Sequence, residues 1–128
     1  MRPIKVLLVE DNDVYRSTLE LLLGQSDEIE VVGAVPDGQA GVDAAPGLAP
    51  DVVLLDFRLP GLDGAATAAA LRAVRPEAAV ICLTAEATDD ERAAVMAAGA
   101  VAFVEKGSPT VDLVEAVRSA FRDAQEHA

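Results

Sequence analysis

Five stretches of the chain are almost continuously apolar: IKVLLV (4–9), IEVVGAV (29–35), DVVLLD (51–56), AAVICLT (78–84) and AVAFVE (100–105). Each is rich in Val, Ile or Leu and shorter than an ordinary helix, so each predicts a strand. A strand with one wet face would alternate polar and apolar positions. Near-continuity predicts burial on both faces instead, as in a parallel sheet with helices on each side.

Helical periodicity fills the intervals. In NDVYRSTLELLLGQ, Tyr15, Leu19, Leu22 and Leu23 recur at i, i+4, i+7 and i+8, with Asn12 placed to cap and Gly24 near the end. After Asp37 the pattern is weaker. Gly38, Gly41 and Pro46 lower helix propensity there and predict a short, loosely held element. Asp63 can cap the alanine-rich GAATAAALRAVR, which Pro76 terminates. Thr88 and Glu91 have capping-box spacing at the start of TDDERAAVMAAG, which Gly99 closes. In SPTVDLVEAVRSAF, Ser108 falls at the N-cap and Pro109 at the first helical position. The order is thus β-α repeated five times, with short connections and no internal repeat. Right-handed crossovers then require an open, doubly wound α/β sheet, whose ligands bind beyond the carboxyl ends of the strands at the switch in strand order.

A length of 128 residues fits one domain, 1–128, with a core large enough to need no disulfide or structural metal. Aromatic residues make up only 3% of the chain, so Ala, Val and Leu must build that core. A formal net charge of -12 repels nucleic-acid phosphate and anionic membrane surfaces, and predicts no direct nucleic-acid binding. The single cysteine, Cys82, lies inside an apolar strand and reads as a small buried hydrophobe. At the N-terminus, VLLVEDND meets acidic residues where a signal peptide would need a small-residue cleavage site. No apolar run approaches the roughly 20 residues that span a bilayer, so a cytoplasmic location away from the membrane is expected.

The residues just past the strands carry the chemistry: Glu10 and Asp11 after the first, Asp56 ending the third, Thr84 ending the fourth and Lys106 after the fifth. Singly, such residues usually cap turns or face solvent. Their convergence on one edge is what changes the reading. Two carboxylates about 5 Å apart repel by roughly 3 kcal/mol at an effective dielectric near 20, while one exposed salt bridge returns about 0 to 1 kcal/mol. Lys106 alone cannot balance the cluster, whereas a hard cation such as Mg²⁺ takes one or two carboxylates, waters and a phosphate oxygen. A carboxylate can also be a nucleophile that forms an aspartyl phosphate, and Asp56, central and backed by an apolar strand, is the best placed.

The motifs LLVEDND, VLLDFRLPGLDG, ICLTA and AFVEKG, in this order and spacing, resemble the receiver domains of two-component response regulators along essentially the whole chain. The DEIEVVGAV and KGSPTVDLVEAV stretches are most similar to receivers of transcription regulators with a helix-turn-helix output domain, so the chain is expected to be the regulatory half of such a regulator or a stand-alone receiver. The resemblance implies a flavodoxin-like five-stranded parallel sheet of order 2-1-3-4-5 with five helices. It implies that Asp56 accepts a phosphoryl group from the phosphohistidine of a sensor histidine kinase, with Thr84 following that group and Lys106 pairing with it. Asp11, Asp56 and the backbone carbonyl of Arg58 would hold Mg²⁺, with Glu10 acting mainly through water. Phe103 matches the aromatic position that turns inward on activation. On this reading the chain phosphorylates and dephosphorylates itself and is otherwise not an enzyme. It departs from the pattern in having Glu10 for the commoner Asp, Phe103 for the frequent Tyr, and Gly107 where many receivers have a cis proline.

Two rival readings stand beside this one. A phosphorylation-independent interaction module would keep the fold and signal by binding alone. A small phosphatase or nucleotide enzyme is disfavoured, since neither G-x-G-x-x-G nor G-x-x-x-x-G-K-[ST] is present and Arg58 stands where a general-acid Asp would be wanted. Arg58 and Glu86, each two residues past a site residue, are expected to face each other as an ion pair that screens attacking water. Val14, Leu21 and an apolar position of the fifth helix lie off the core stripe and hint at a homodimer on phosphorylation.

Overall fold

The computed structural model describes residues 2–59 and 63–126. Pro60 and Gly61 of the FRLPG stretch lie outside the described residues. Five strands, β1 (Ile4–Val9), β2 (Ile29–Val35), β3 (Val52–Asp56), β4 (Ala79–Thr84) and β5 (Ala100–Glu105), alternate with helices α1 (Asp13–Gly24), α2 (Gly38–Leu48), α3 (Gly64–Val74), α4 (Asp89–Ala97) and α5 (Thr110–Glu126). All pairings are parallel, in the expected order β2-β1-β3-β4-β5.

The side chains of β3 and β4 are buried throughout, which explains why their sequences do not alternate; edge strands β2 and β5 are only partly covered. Alternate strand positions feed two cores. Val6, Leu8, Leu54, Ile81 and Leu83 pack beneath α1 and α5 with Leu19, Leu23, Leu113 and Val117. Leu7, Val9, Val53, Leu55 and Val80 pack on the other face with Ala45, Ala68, Leu71 and Val95 of α2, α3 and α4. Each fully buried Leu or Val contributes about 1.5 to 3 kcal/mol relative to exposure, so the interior strands anchor the sheet.

The helix ends follow the local chemistry. Asn12, Asp37 and Asp63 accept the N–H of Tyr15, Ala40 and Ala66, each at 2.8 Å. Thr88 and Glu91 form the reciprocal capping box at 3.1 and 2.9 Å. The last helix begins at Thr110, one residue later than the Ser108 cap implies, because the Pro109 carbonyl accepts its first bonds from Asp112 and Leu113. The helix after Asp37 is not short: at 11 residues it equals α3. A Cβ at Gly41 would stand 2.8 Å from Val9 Cγ2, so the glycine that weakens propensity lets α2 lie directly on β1.

Candidate functional site

The topology puts β1 beside β3 at the point where the chain switches direction, and the register sets Val9 opposite Leu55. Glu10 and Asp56 are therefore level at the carboxyl edge. On the other side, Asp56 is opposite Leu83, and the Lys106 N–H donates to the Thr84 carbonyl at 2.8 Å. Asp11, Asp56, Arg58, Thr84 and Lys106 thus line a cleft of about 530 Å³, with Glu10 buried behind it.

Lys106 Nζ lies 2.6 Å from Glu10 Oε1 and 3.3 Å from Asp56 Oδ2. Both acids are almost wholly buried, while Asp11 is exposed at the cleft mouth. Glu10 Oε2 accepts the Asn12 N–H at 2.9 Å, and Asp56 Oδ1 accepts the Arg58 N–H at 3.2 Å. Burial, the Glu10 charge and a side-chain hydrogen bond with Glu10 push the Asp56 carboxyl up to about 7, against the opposing pull of Lys106 and the Arg58 N–H. Burial disfavours the Lys106 ammonium, but its bonds and charge contacts with Glu10 and Asp56 outweigh burial and hold it above its ordinary value. One cation is thus shared between two buried carboxylates. Glu10 Oε1 has Lys106 Nζ as its charge neighbour at 2.6 Å.

The three acids each present an oxygen, all within 4.8 Å of one another, a donor set suited to a hard cation. Thr84 is buried, and its Oγ1 accepts the Glu86 N–H at 3.1 Å, tying the hydroxyl into the turn after β4. Phe103 is half-buried against the core under α4, and the Arg92 guanidinium lies 5.1 Å from its ring centre. Cys82 is fully buried, and burial pushes its thiol up to about 12, in keeping with an inert core residue.

Arg58 is placed differently from the expectation. Its Nη2 reaches the backbone carbonyl of Glu86, and its ion pair is with Glu91, both at 3.4 Å. The reason is the capping box: Glu91 is held by the Thr88 N–H at the start of α4, where its carboxylate is fixed within reach of Arg58.

Two side chains escaped the sequence reading. Asp51, at the head of β3, is buried, with Arg2 bonded to both its oxygens at 2.6 and 3.0 Å and the Lys5 N–H at 2.9 Å. Burial alone would raise its carboxyl, but these bonds hold it below the ordinary range. Tyr15 presents its ring face to Lys106, 4.9 Å from Nζ. Helical periodicity had already accounted for it as a core residue, so nothing in the sequence signalled this second contact.

Residues 6–118 match the family described as the response regulator receiver domain. The chain is 34% identical over 117 residues to the transcriptional regulatory protein LiaR of Bacillus subtilis, covering 91% of this chain and 56% of that protein. It is 40% identical over 114 residues to a protein-glutamate methylesterase/protein-glutamine glutaminase of Symbiobacterium thermophilum, covering 88% of this chain and 31% of that protein. Among solved structures, the signal receiver domain of the response regulator NarL from Mycobacterium tuberculosis superposes with a TM-score of 0.90 at 30% identity, covering 95% of this chain and 98% of that one. The chain spans about half the length of the response-regulator relatives that it matches. Fold and matched length agree, and the chain belongs to the response regulator receiver domains of two-component signalling.

Proposed function

We propose that residues 1–128 act as one receiver unit in which Asp56 takes a phosphoryl group from the phosphohistidine of a sensor histidine kinase. The observation that carries this reading is the bridging of buried Glu10 and Asp56 by Lys106 beside the exposed Asp11, an anionic cleft with room for a cation and a phosphoryl group. An Asp56 carboxylate oxygen attacks phosphorus, an O–P bond forms, the P–N bond to the kinase imidazole breaks, and the electron pair leaves on the imidazole nitrogen. Asp11, Asp56 and the Arg58 carbonyl would hold Mg²⁺, with Glu10 contributing mainly through water. When bound, that ion neutralises carboxylate charge and stabilises charge on the transferring group. Lys106 pairs with a phosphoryl oxygen, and Thr84, released from its turn bond to the Glu86 N–H, donates to another. Hydrolysis returns the Asp56 carboxylate and inorganic phosphate when water attacks phosphorus.

Movement of Thr84 opens space beside β5 for Phe103 to turn inward, and the face of α4, β5 and α5 then changes its partners. Arg58, tied to Glu86 and Glu91 across the cleft, is placed to limit access of water and so to modulate the lifetime of the phosphorylated form. Similarity to LiaR supports a place as the regulatory half of a transcription regulator. No helix among the described residues is long and apolar enough to cross a membrane, which is in keeping with a cytoplasmic kinase partner. Val14, Leu21 and Val111, at 77%, 66% and 71% exposure on α1 and α5, are the positions on which we place the homodimer expected on phosphorylation.

Incubation with Mg²⁺ and acetyl phosphate should add the mass of one phosphoryl group to the wild-type chain and none to Asp56→Asn. A shift that persists in Asp56→Asn would remove the assignment. Partner binding that is the same in wild type and Asp56→Asn would favour a phosphorylation-independent module.

A further inference from the structure

The four rotatable bonds of a lysine side chain carry about 2 kcal/mol of rotamer entropy, so an ammonium held between two carboxylates needs a device that confines it. Bonds from the Lys106 N–H to the Thr84 carbonyl and from the Ser108 N–H to the Glu105 carbonyl fix the backbone of the turn but leave the lysine side chain free to rotate. Gly107 follows at φ +89, with nothing within 4 Å of where a Cβ would stand. Confinement comes from α1. Glu10 Oε2 accepts the Asn12 N–H, and Asn12 Oδ1 accepts the Tyr15 N–H, so one cap fixes both the anionic partner of Lys106 and the backbone of Tyr15. The Tyr15 ring then closes the remaining side, 4.9 Å from Nζ, and Tyr15 and Gly107 line the same small cavity.

We infer that Tyr15 is a positioning residue for Lys106: its ring face holds the ammonium over Asp56. The inference rests on Asp56 being the phosphoacceptor. Tyr15 itself does not touch the phosphoryl group. It acts by limiting where Nζ can be when charge develops on that group, the ring quadrupole attracting the ammonium.

Two readouts test this. Phosphorylation by Mg²⁺ and acetyl phosphate, followed by mass, should slow about tenfold in Tyr15→Leu and recover to within about threefold of wild type in Tyr15→Phe, which keeps the ring face. Tyr15 is also the only tyrosine in a chain without tryptophan, so intrinsic emission reports on it alone. In metal-free protein, Lys106→Met should change that emission, a readout that needs no phosphorylation. The inference is overturned if Tyr15→Leu phosphorylates at the wild-type rate, if Tyr15→Phe slows as far as Tyr15→Leu, or if Lys106→Met leaves the emission unchanged. Should Tyr15→Leu fail to fold, the phenylalanine and emission arms still decide. A wild-type chain that takes no phosphate would instead overturn the phosphoacceptor reading, and the emission arm would judge Tyr15 separately.

Discussion

At the scale of single residues, the cleft stores a conflict that pH should expose. The Asp56 carboxyl sits at about 7 in the folded chain against an ordinary 3.8, so the folded state binds this proton more tightly than the unfolded state does. Stability contributed by the protonated form is present at low pH and is lost as pH rises through that window. With allowance for solvent screening in an open cleft, the loss should be about 1 to 2 kcal/mol. Asp56→Asn, neutral throughout, should remove it: denaturant unfolding of the metal-free variant should match wild type near pH 4 and exceed it at pH 8. Asp56, Thr84 and Lys106 were legible in the sequence because strand ends can be read from apolar runs, and a parallel sheet brings such ends together. The partners of Arg58 and Asp51 were not. Glu91 reaches Arg58 only through the seating of α4, and Arg2 reaches Asp51 across 49 residues of chain, distances that no local pattern encodes.

At the scale of elements, the strands and four of the five helices follow from periodicity and caps, and α2 shows why propensity alone misleads. Its glycines weaken it in isolation, but the close approach of Gly41 to Val9 is available to no larger residue, and tertiary contact outweighs propensity. The same helix ends at a cost: Ala49 closes it at φ 49 and ψ 55, a left-handed conformation that disfavours a Cβ. Ala49→Gly should therefore raise stability by about 1 kcal/mol in denaturant unfolding, with the unfolding m-value unchanged. A decrease would show that the alanine side chain contributes packing that outweighs the backbone strain.

At the scale of the whole molecule, two-sided burial and short β-α connections pointed to a parallel doubly wound sheet, the order 2-1-3-4-5 came only with the receiver resemblance, and the cleft's charge balance required three dimensions. A ligand that binds only the folded state stabilises it by linkage. Mg²⁺ at ten times its dissociation constant should add about 1.4 kcal/mol, a rise of roughly 3 to 6 °C in Tm for a domain of this size. Chelation should reverse the rise, and Asp11→Ala should abolish it; an equal rise in that variant would place the ion elsewhere. The division of the interior into two cores has a consequence of another kind. Phe103 belongs to the core under α4, whereas its strand neighbours Ala102 and Val104 belong to the core under α5. Because the sheet insulates the two sets from each other, one layer can accumulate sequence change while the other keeps its packing. The α1 and α5 side could therefore diversify to suit new partners while the layer housing Phe103 stays unaltered.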